Sequence, residues 1–252
     1  MVDRGSPPTF AAACEAVLAA PERDHSADTT LAPVHARTLP EGWGPRRHTI
    51  VTARFPADVD RVLELGCGVG ALLGHLARRY DAVGVDDRPA HLRFAAARGS
   101  VVSGRPAAPP VRNRFDGVCA TEYATARVPA VDLCVGAYTA LRPGGLAVVV
   151  VPTAASGVAE SGVGTFTDAR YRLERAVDVE TQDTVAVDYR VTDRRTGETA
   201  VTTERRGVET TTADGLTAAL RTAGFEDVVV SGENDLPNVV VGVGARPVET
   251  GQ

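Results

Sequence analysis

The sequence predicts a doubly wound α/β domain that carries an antiparallel β insertion. Three observations carry this. Short apolar runs alternate with segments of helical period between residues 61 and 151. The run at 146–151 (LAVVVV) is apolar at every position, as befits a strand of a parallel sheet buried on both faces. Residues 171–210 then switch to period-two alternation rich in Val, Thr and Tyr, the pattern of antiparallel strands with one solvated face.

The elements follow in order. Residues 10–20 (FAAACEAVLAA) are good helix formers, closed by Pro21. Residues 22–47 mix Pro, Gly, Asp and Thr without a period and read as irregular. A strand at 62–65 (VLEL) runs into a glycine-rich turn. Residues 71–80 have helical spacing, with Arg78 and Arg79 in the last turn, where cations suit the helix dipole. The next strand, 82–85, ends in Asp86-Asp87. Pro89 opens a helix that runs to Arg98 and is closed by Gly99. Strands are expected at 100–103 and 115–120, a helix at 130–141 stopped by Arg142-Pro143-Gly144-Gly145, and a strand at 146–151. Three strands at 171–181, 184–193 and 199–210 form the insertion. A helix at 213–223, ended by Gly224, precedes two strands at 225–231 and 239–243 that return to the main sheet. The chain thus divides into an N-terminal helical and irregular segment, 1–57, a candidate lid; a domain over 58–245 with its insertion at about 165–210; and a tail at 246–252.

Composition narrows the function. The 252 residues are 44% hydrophobic and 23% charged, which suits one globular domain with an elaboration and excludes disorder of the whole chain. A net charge of -5 argues against a general nucleic-acid surface. All 27 basic side chains are Arg, so Schiff-base chemistry and a phosphate-loop lysine are excluded. Cys14, Cys67, Cys119 and Cys134 are widely spaced and form no C-x-x-C pair. Neither a disulfide framework nor a metal site is expected from them, and a reducing cytoplasmic interior suits them. The N-terminus lacks the apolar core of a signal peptide, and 146–151 is too short to span a bilayer, so no membrane partner is expected.

In an open α/β sheet, ligands bind beyond the carboxyl ends of the strands. The first such turn here is Glu64-Leu65-Gly66-Cys67-Gly68-Val69-Gly70. Its alternate glycines let main chain approach a ligand and adopt positive φ, and the next helix offers free N–H groups. Asp86, at the end of the second strand, can accept from both hydroxyls of a ribose. Gly66-x-Gly68-x-x-Ala71 also satisfies a dinucleotide fingerprint. Glu64 decides between them: a carboxylate there repels a pyrophosphate and welcomes an ammonium and a sulfonium. A ligand with a ribose and a cationic amino-acid tail is S-adenosylmethionine.

These residues resemble motif I of the class I S-adenosylmethionine-dependent methyltransferases. Gly84-Val85-Asp86 with Pro89 and Leu92 is similar to the second motif of that family. Residues 104–116, Leu141-Arg142-Pro143-Gly144-Gly145 and Ala223-Gly224-Phe225 resemble the loop and turns of its later strands. The resemblance covers about residues 58–245. It implies a seven-stranded, mostly parallel, Rossmann-like sheet whose last strand runs antiparallel. It also implies roles: Glu64 with Gly66, Cys67, Gly68 and Gly70 for the methionine end, Asp86 for the ribose, and Asp87 on the adenine side.

The chain departs from the family twice. Arg105 stands where an Asp often reaches the adenine, and Thr125-Ala126 stand where many small-molecule members have Glu-His. The expected function is methyl transfer to a small-molecule acceptor. The departures keep open a second reading, a degenerate, non-catalytic partner subunit of methyltransferase fold. A nicotinamide oxidoreductase is the third, opposed by Glu64. Residues to inspect at the mouth are Thr121, Glu122 and Tyr123, and His48 if the N-terminal segment folds over it. His75 and His91 read as ordinary helix residues, and Arg205-Arg206 beside Glu204 as a solvated strand face. The acceptor and any catalytic base are unassigned, and a homodimer is left open.

Overall fold

The computed structural model describes residues 9–39, 42–158 and 164–248. In chain order these form α1 (Phe10–Ala19), α2 (Ala32–Thr38), α3 (Trp43–Thr52), β1 (Arg61–Leu65), α4 (Leu73–Leu76), β2 (Asp81–Asp86), α5 (Pro89–Ala95) and β3 (Ser100–Ser103). Next come β4 (Phe115–Ala120), α6 (Glu122–Thr125), α7 (Ala130–Ala140), β5 (Leu141–Pro152) and a single 3₁₀ turn at Ala155–Gly157. The chain ends with β6 (Gly164–Thr167), β7 (Tyr171–Thr181), β8 (Thr184–Asp193), β9 (Thr199–Gly207), α8 (Ala213–Thr222), β10 (Glu226–Glu233) and β11 (Leu236–Ala245).

The main sheet has seven strands in the order β10-β11-β5-β4-β1-β2-β3. β1 to β5 pair in parallel, and β11 runs antiparallel to both β5 and β10. This is the expected architecture. Strand order reverses between β1 and β4, so the ends of β1, β2 and β4 share one crevice. One face of the sheet packs Leu72, Leu73, Leu76 and Leu92 with Ile50 and Val51 of α3. The other packs Leu133, Cys134 and Ala137 of α7 with Leu216 and Leu220 of α8. No helix among the described residues is long and apolar enough to cross a membrane.

The insertion is a separate four-stranded antiparallel sheet, β6-β7-β8-β9. Its inner face sets Tyr171, Leu173, Tyr189 and Val191 against Phe10, Cys14, Val17, Leu31 and Val34 of the N-terminal segment. β7 and β8 have the expected bounds. β9 stops at Gly207 rather than 210, because Val208 N–H donates to Asp183 O and Glu209 N–H to Ala126 O, drawing the chain back to the main domain. β6 adds a strand that the sequence pattern did not indicate.

Three local expectations are corrected. Residues 22–47, read as irregular, hold α2 and the start of α3. With seven residues, α2 is too short for its period to show, and Pro33 opens it. The helix expected at 71–80 is regular only at Leu73–Leu76, and its flanks tighten into i→i+3 turns such as His75 N–H to Leu72 O and Arg79 N–H to Leu76 O. The turn before the fifth strand lies within β5. Gly144 adopts φ +79° there and donates to Arg246 O at 2.9 Å.

Candidate cofactor and acceptor site

The crevice at the ends of β1 and β2 brings the predicted cluster together. Gly66, Gly68 and Gly70 adopt φ of +72°, +53° and +82°, conformations that favour glycine. The N–H groups of Gly66 and Cys67 both donate to Val85 O, at 2.7 and 3.1 Å, which ties the loop to β2. Cys67 contributes only main chain to the crevice. Its thiol packs under the loop, where a Cβ on Gly84 would lie 2.7 Å from Sγ.

Glu64 is buried on β1, and its Oε2 has no hydrogen-bond partner among the described residues. Burial, and then the charge of Asp86, push its carboxyl well above the usual carboxylate range, against a hydrogen bond from the Leu73 main chain. Ionising such a group is costly unless a cation or a donor lies beside it.

Asp86 is equally buried but fully partnered. Its Oδ2 accepts from Gly68 N–H at 2.8 Å and from Arg88 Nη2 at 2.6 Å. Its Oδ1 accepts from Arg88 N–H at 3.0 Å and Nε at 2.8 Å. Burial works against the charge, but these Arg88 and Gly68 contacts outweigh it and hold the pKa below the usual value. Asp87, its expected companion, is exposed at the rim.

Tyr123 covers the loop. A Cβ on Gly68 would lie 2.4 Å from its ring, and one on Gly66 would lie 2.4 Å from Ala124 Cβ. Two cations lie close to the ring, with Arg88 Cζ 5.0 Å and Arg127 Cζ 5.3 Å from its centroid. Its hydroxyl is 3.1 Å from His91 Nδ1, while His91 Nε2 lies 2.7 Å from Ala27 O. One neutral tautomer satisfies both contacts: Nε2–H donates to Ala27 and Nδ1 accepts from Tyr123. Burial, and then the Arg88 charge, hold His91 down at about 4, so it is neutral. His91 is therefore a buried positioning group for Tyr123, not the ordinary helix residue expected.

The N-terminal segment does fold over this region, through Asp28 rather than His48. Asp28 pairs with Arg88 at 3.2 Å and with Arg127 at 2.6 Å. Next to it, Ser26 Oγ and Ala27 N–H donate to Glu204 of β9 at 3.2 and 3.1 Å. The loop between α1 and α2 thus stitches the glycine-loop side to the insertion. His48 instead faces His75, their ring centroids 6.0 Å apart.

Behind Tyr123 lies a partly open cavity of about 70 Å³. Its walls come from α2 and α3 (His35, Trp43), the residues after β4 (Glu122, Tyr123, Arg127) and the insertion (Arg175, Val177, Val185, Arg206). Glu122, a residue flagged from sequence, is buried in an ion pair with Arg47. Thr121 is buried, and Thr125 donates to Val150 O at 2.7 Å, so neither projects a polar group into the cavity. His35, which sequence reasoning missed, stacks on Tyr123 with centroids 5.4 Å apart. Both its ring nitrogens are buried and have no hydrogen-bond partner among the described residues. Burial first, and then Arg175, His91, Arg206 and Arg127, hold it well below the ordinary histidine value. Arg205 is solvated as expected, but Glu204 and Arg206 point inward. Arg105 is exposed. No three His, Cys, Asp or Glu side chains gather into a metal-binding group among the described residues.

A family model described as a methyltransferase domain matches residues 35–230. The chain therefore belongs to the methyltransferase-domain family, with the class I architecture. No curated protein matches it. Solved structures share the fold. The sugar N-methyltransferase KedS8 from Streptoalloteichus is 20% identical with a TM-score of 0.67, over 89% of this chain and 95% of that one. The amino pentose methyltransferase CalS10 from Micromonospora echinaspora, solved with S-adenosylmethionine, is 20% identical with a TM-score of 0.64, over 89% and 99%. The CcbJ methyltransferase from Streptomyces caelestis is 20% identical with a TM-score of 0.57, over 97% and 100%.

Proposed function

We propose that this protein is an S-adenosylmethionine-dependent methyltransferase acting on a small molecule, with the cofactor over the glycine loop and the acceptor in the cavity behind Tyr123. The observation that carries this is Glu64: a buried carboxyl with an unpartnered oxygen, beside three glycines of positive φ, fits a ligand that brings an ammonium group. In this reading Glu64 and the loop N–H groups hold the methionine end, Asp86 the ribose, and Asp87 the adenine side. Bound there, S-adenosylmethionine supplies a methyl carbon activated by its sulfonium. Tyr123, fixed by His91, walls the cofactor side from the acceptor side and excludes water. Placing the acceptor in line is the main task of the cavity walls. His35, neutral and with both ring nitrogens unpartnered, is the group that would take the proton of an O–H or N–H acceptor. The sugar N-methyltransferase and the amino pentose methyltransferase among the fold relatives support the small-molecule class. The four buried free thiols suit a reducing compartment, which supports the cytoplasm.

One observation favours a second reading, the non-catalytic partner subunit. Arg88 occupies both oxygens of Asp86 and Tyr123 lies on Gly68, so a ribose has to displace the protein's own side chains. Titration calorimetry with S-adenosylmethionine and S-adenosylhomocysteine, together with turnover of a broad acceptor panel, separates the two, since a non-catalytic subunit can still hold the cofactor and would then turn over no acceptor. Saturable binding of both, weakened about ten-fold or more by Asp86→Ala through loss of charge-assisted hydrogen bonds, supports the enzyme. No binding of either ligand would leave the second reading. NAD in a parallel thermal-shift titration should give no rise in melting temperature.

A further inference from the structure

The cavity behind Tyr123 is lined by more positive charge than its own acids neutralise. Arg127 is compensated by Asp28, and Glu122 by Arg47. Arg175 and Arg206 have no ion-pair partner among the described residues, and the Nε of each is buried without a hydrogen bond. Arg175 is only 8% exposed and its side chain meets Tyr189, but no carboxylate pairs with it, which makes its charge costly in the free protein. The buried acid that shares the surroundings of Tyr189 with these two arginines is Glu204. It accepts from Ser26 Oγ, Ala27 N–H and Tyr189 O–H and forms no ion pair with either arginine, so its single charge offsets at most one of the two. One nitrogen of Arg127, Nη2, is also buried and unpartnered. The inner face of a sheet is a place for apolar side chains, and Val177 and Val185 occupy it as expected. Two arginines set there, beside His35, place guanidinium nitrogens without partners in an apolar surround, the arrangement that suits an oxyanion.

We propose that this cavity receives an acceptor bearing an anionic oxyacid group, a carboxylate or a phosphate, which Arg175 and Arg206 hold while apolar residues such as Val177 and Val185 cover the rest of the molecule. This rests on the reading of the cavity as the acceptor site. It adds a substrate class: the anion anchors the molecule at the insertion and leaves its nucleophilic atom toward Tyr123 and the glycine loop.

The test uses three probes of one shape, benzoate, phenyl phosphate and the neutral benzamide. Each is titrated calorimetrically into the full-length protein, with and without S-adenosylhomocysteine. At least one anion should bind about ten-fold or more tightly than benzamide, as a charge-assisted pair requires. Preference between the two anions identifies the group. Arg175→Met and Arg206→Met should each weaken the anion about ten-fold while leaving S-adenosylhomocysteine affinity within about two-fold. Arg206 is half-buried on the last strand of the insertion, so its variant serves if the Arg175 variant does not fold. Benzamide binding as tightly as the anions, or anion affinity unchanged in a folded variant, would overturn the proposal. Anion binding without any S-adenosylhomocysteine binding would instead overturn the methyltransferase reading and leave the anion receptor standing.

Discussion

Arg88 closes on Asp86 from two residues away, with Nη2 2.6 Å from one carboxylate oxygen and Nε 2.8 Å from the other. The acid proposed to meet a ribose is therefore already an acceptor for the protein itself. Arg88→Ala should free it. The unliganded protein should melt lower, because a buried carboxylate loses its fork. The affinity for S-adenosylmethionine should rise about five- to ten-fold, the worth of roughly 1 kcal/mol of removed competition. Calorimetry on both proteins checks this. A fall in affinity would make Arg88 part of the binding surface and remove the competition.

Glu64→Gln should separate binding from stability. The carboxyl of Glu64 has a folded pKa raised above its unfolded value by burial and by Asp86. Its contribution to stability is thus present below the ordinary carboxylate pKa and lost as pH rises through the folded value. At pH 7 the acid is a liability, and the neutral isostere should melt a few degrees higher, at roughly 2–4 °C per kcal/mol for a chain of this size. The gain should vanish toward pH 4. Cofactor affinity should fall about 10- to 100-fold, the value of a charged hydrogen bond of ~1.5–3 kcal/mol. Melting curves at the two pH values and one titration suffice. An unchanged affinity would remove Glu64 from the site.

How much of this was legible in the sequence depends on the scale of each feature. β4, β7 and β8 were legible to the residue because alternation or a closed apolar run fixes a strand locally. Glu64, the three glycines and Asp86 were legible as a cluster because one strand-turn-helix unit carries most of them. The Arg88 fork lay within the same motif, and its two-residue spacing from Asp86 was the available signal. His35, Arg175 and Arg206 were not legible. They come from α2, β7 and β9 and meet only after the insertion folds back on the N-terminal segment. Their inward orientation contradicts the rule that charged residues on an alternating strand face water, and nothing local announces the exception.

Acid should loosen the Tyr123–His91–Ala27 chain of contacts. His91 is held down at about 4 by burial and Arg88, against an ordinary value of 6.5, and His35 is also well below that value. Both are neutral in the fold and take up protons in the unfolded chain. Their stabilising contribution is present above 6.5 and is lost as pH falls below it, for His91 through the window toward about 4. Each adds a slope of up to ~1.4 kcal/mol per pH unit there. Denaturant titrations between pH 7 and 5 should show this loss, and His91→Gln should reduce the slope. An unchanged slope in His91→Gln would mean that His91 is not held neutral in the fold.

The contact between Gly68 and Tyr123 can be measured by a double-mutant cycle. Gly68→Ala asks two things of the fold: a non-glycine residue at φ +53°, and a Cβ placed 2.4 Å from the Tyr123 ring. The backbone term costs ~1–2 kcal/mol, and overpacking against a fixed aromatic ring adds ~1–3 kcal/mol. In a Tyr123→Ala background only the backbone term remains. The two substitutions should therefore be less than additive by ~1–3 kcal/mol. Chemical denaturation of the four proteins gives the coupling directly. If the costs simply add, Tyr123 does not rest on the loop, and the wall between cofactor and acceptor sides must be built by another residue.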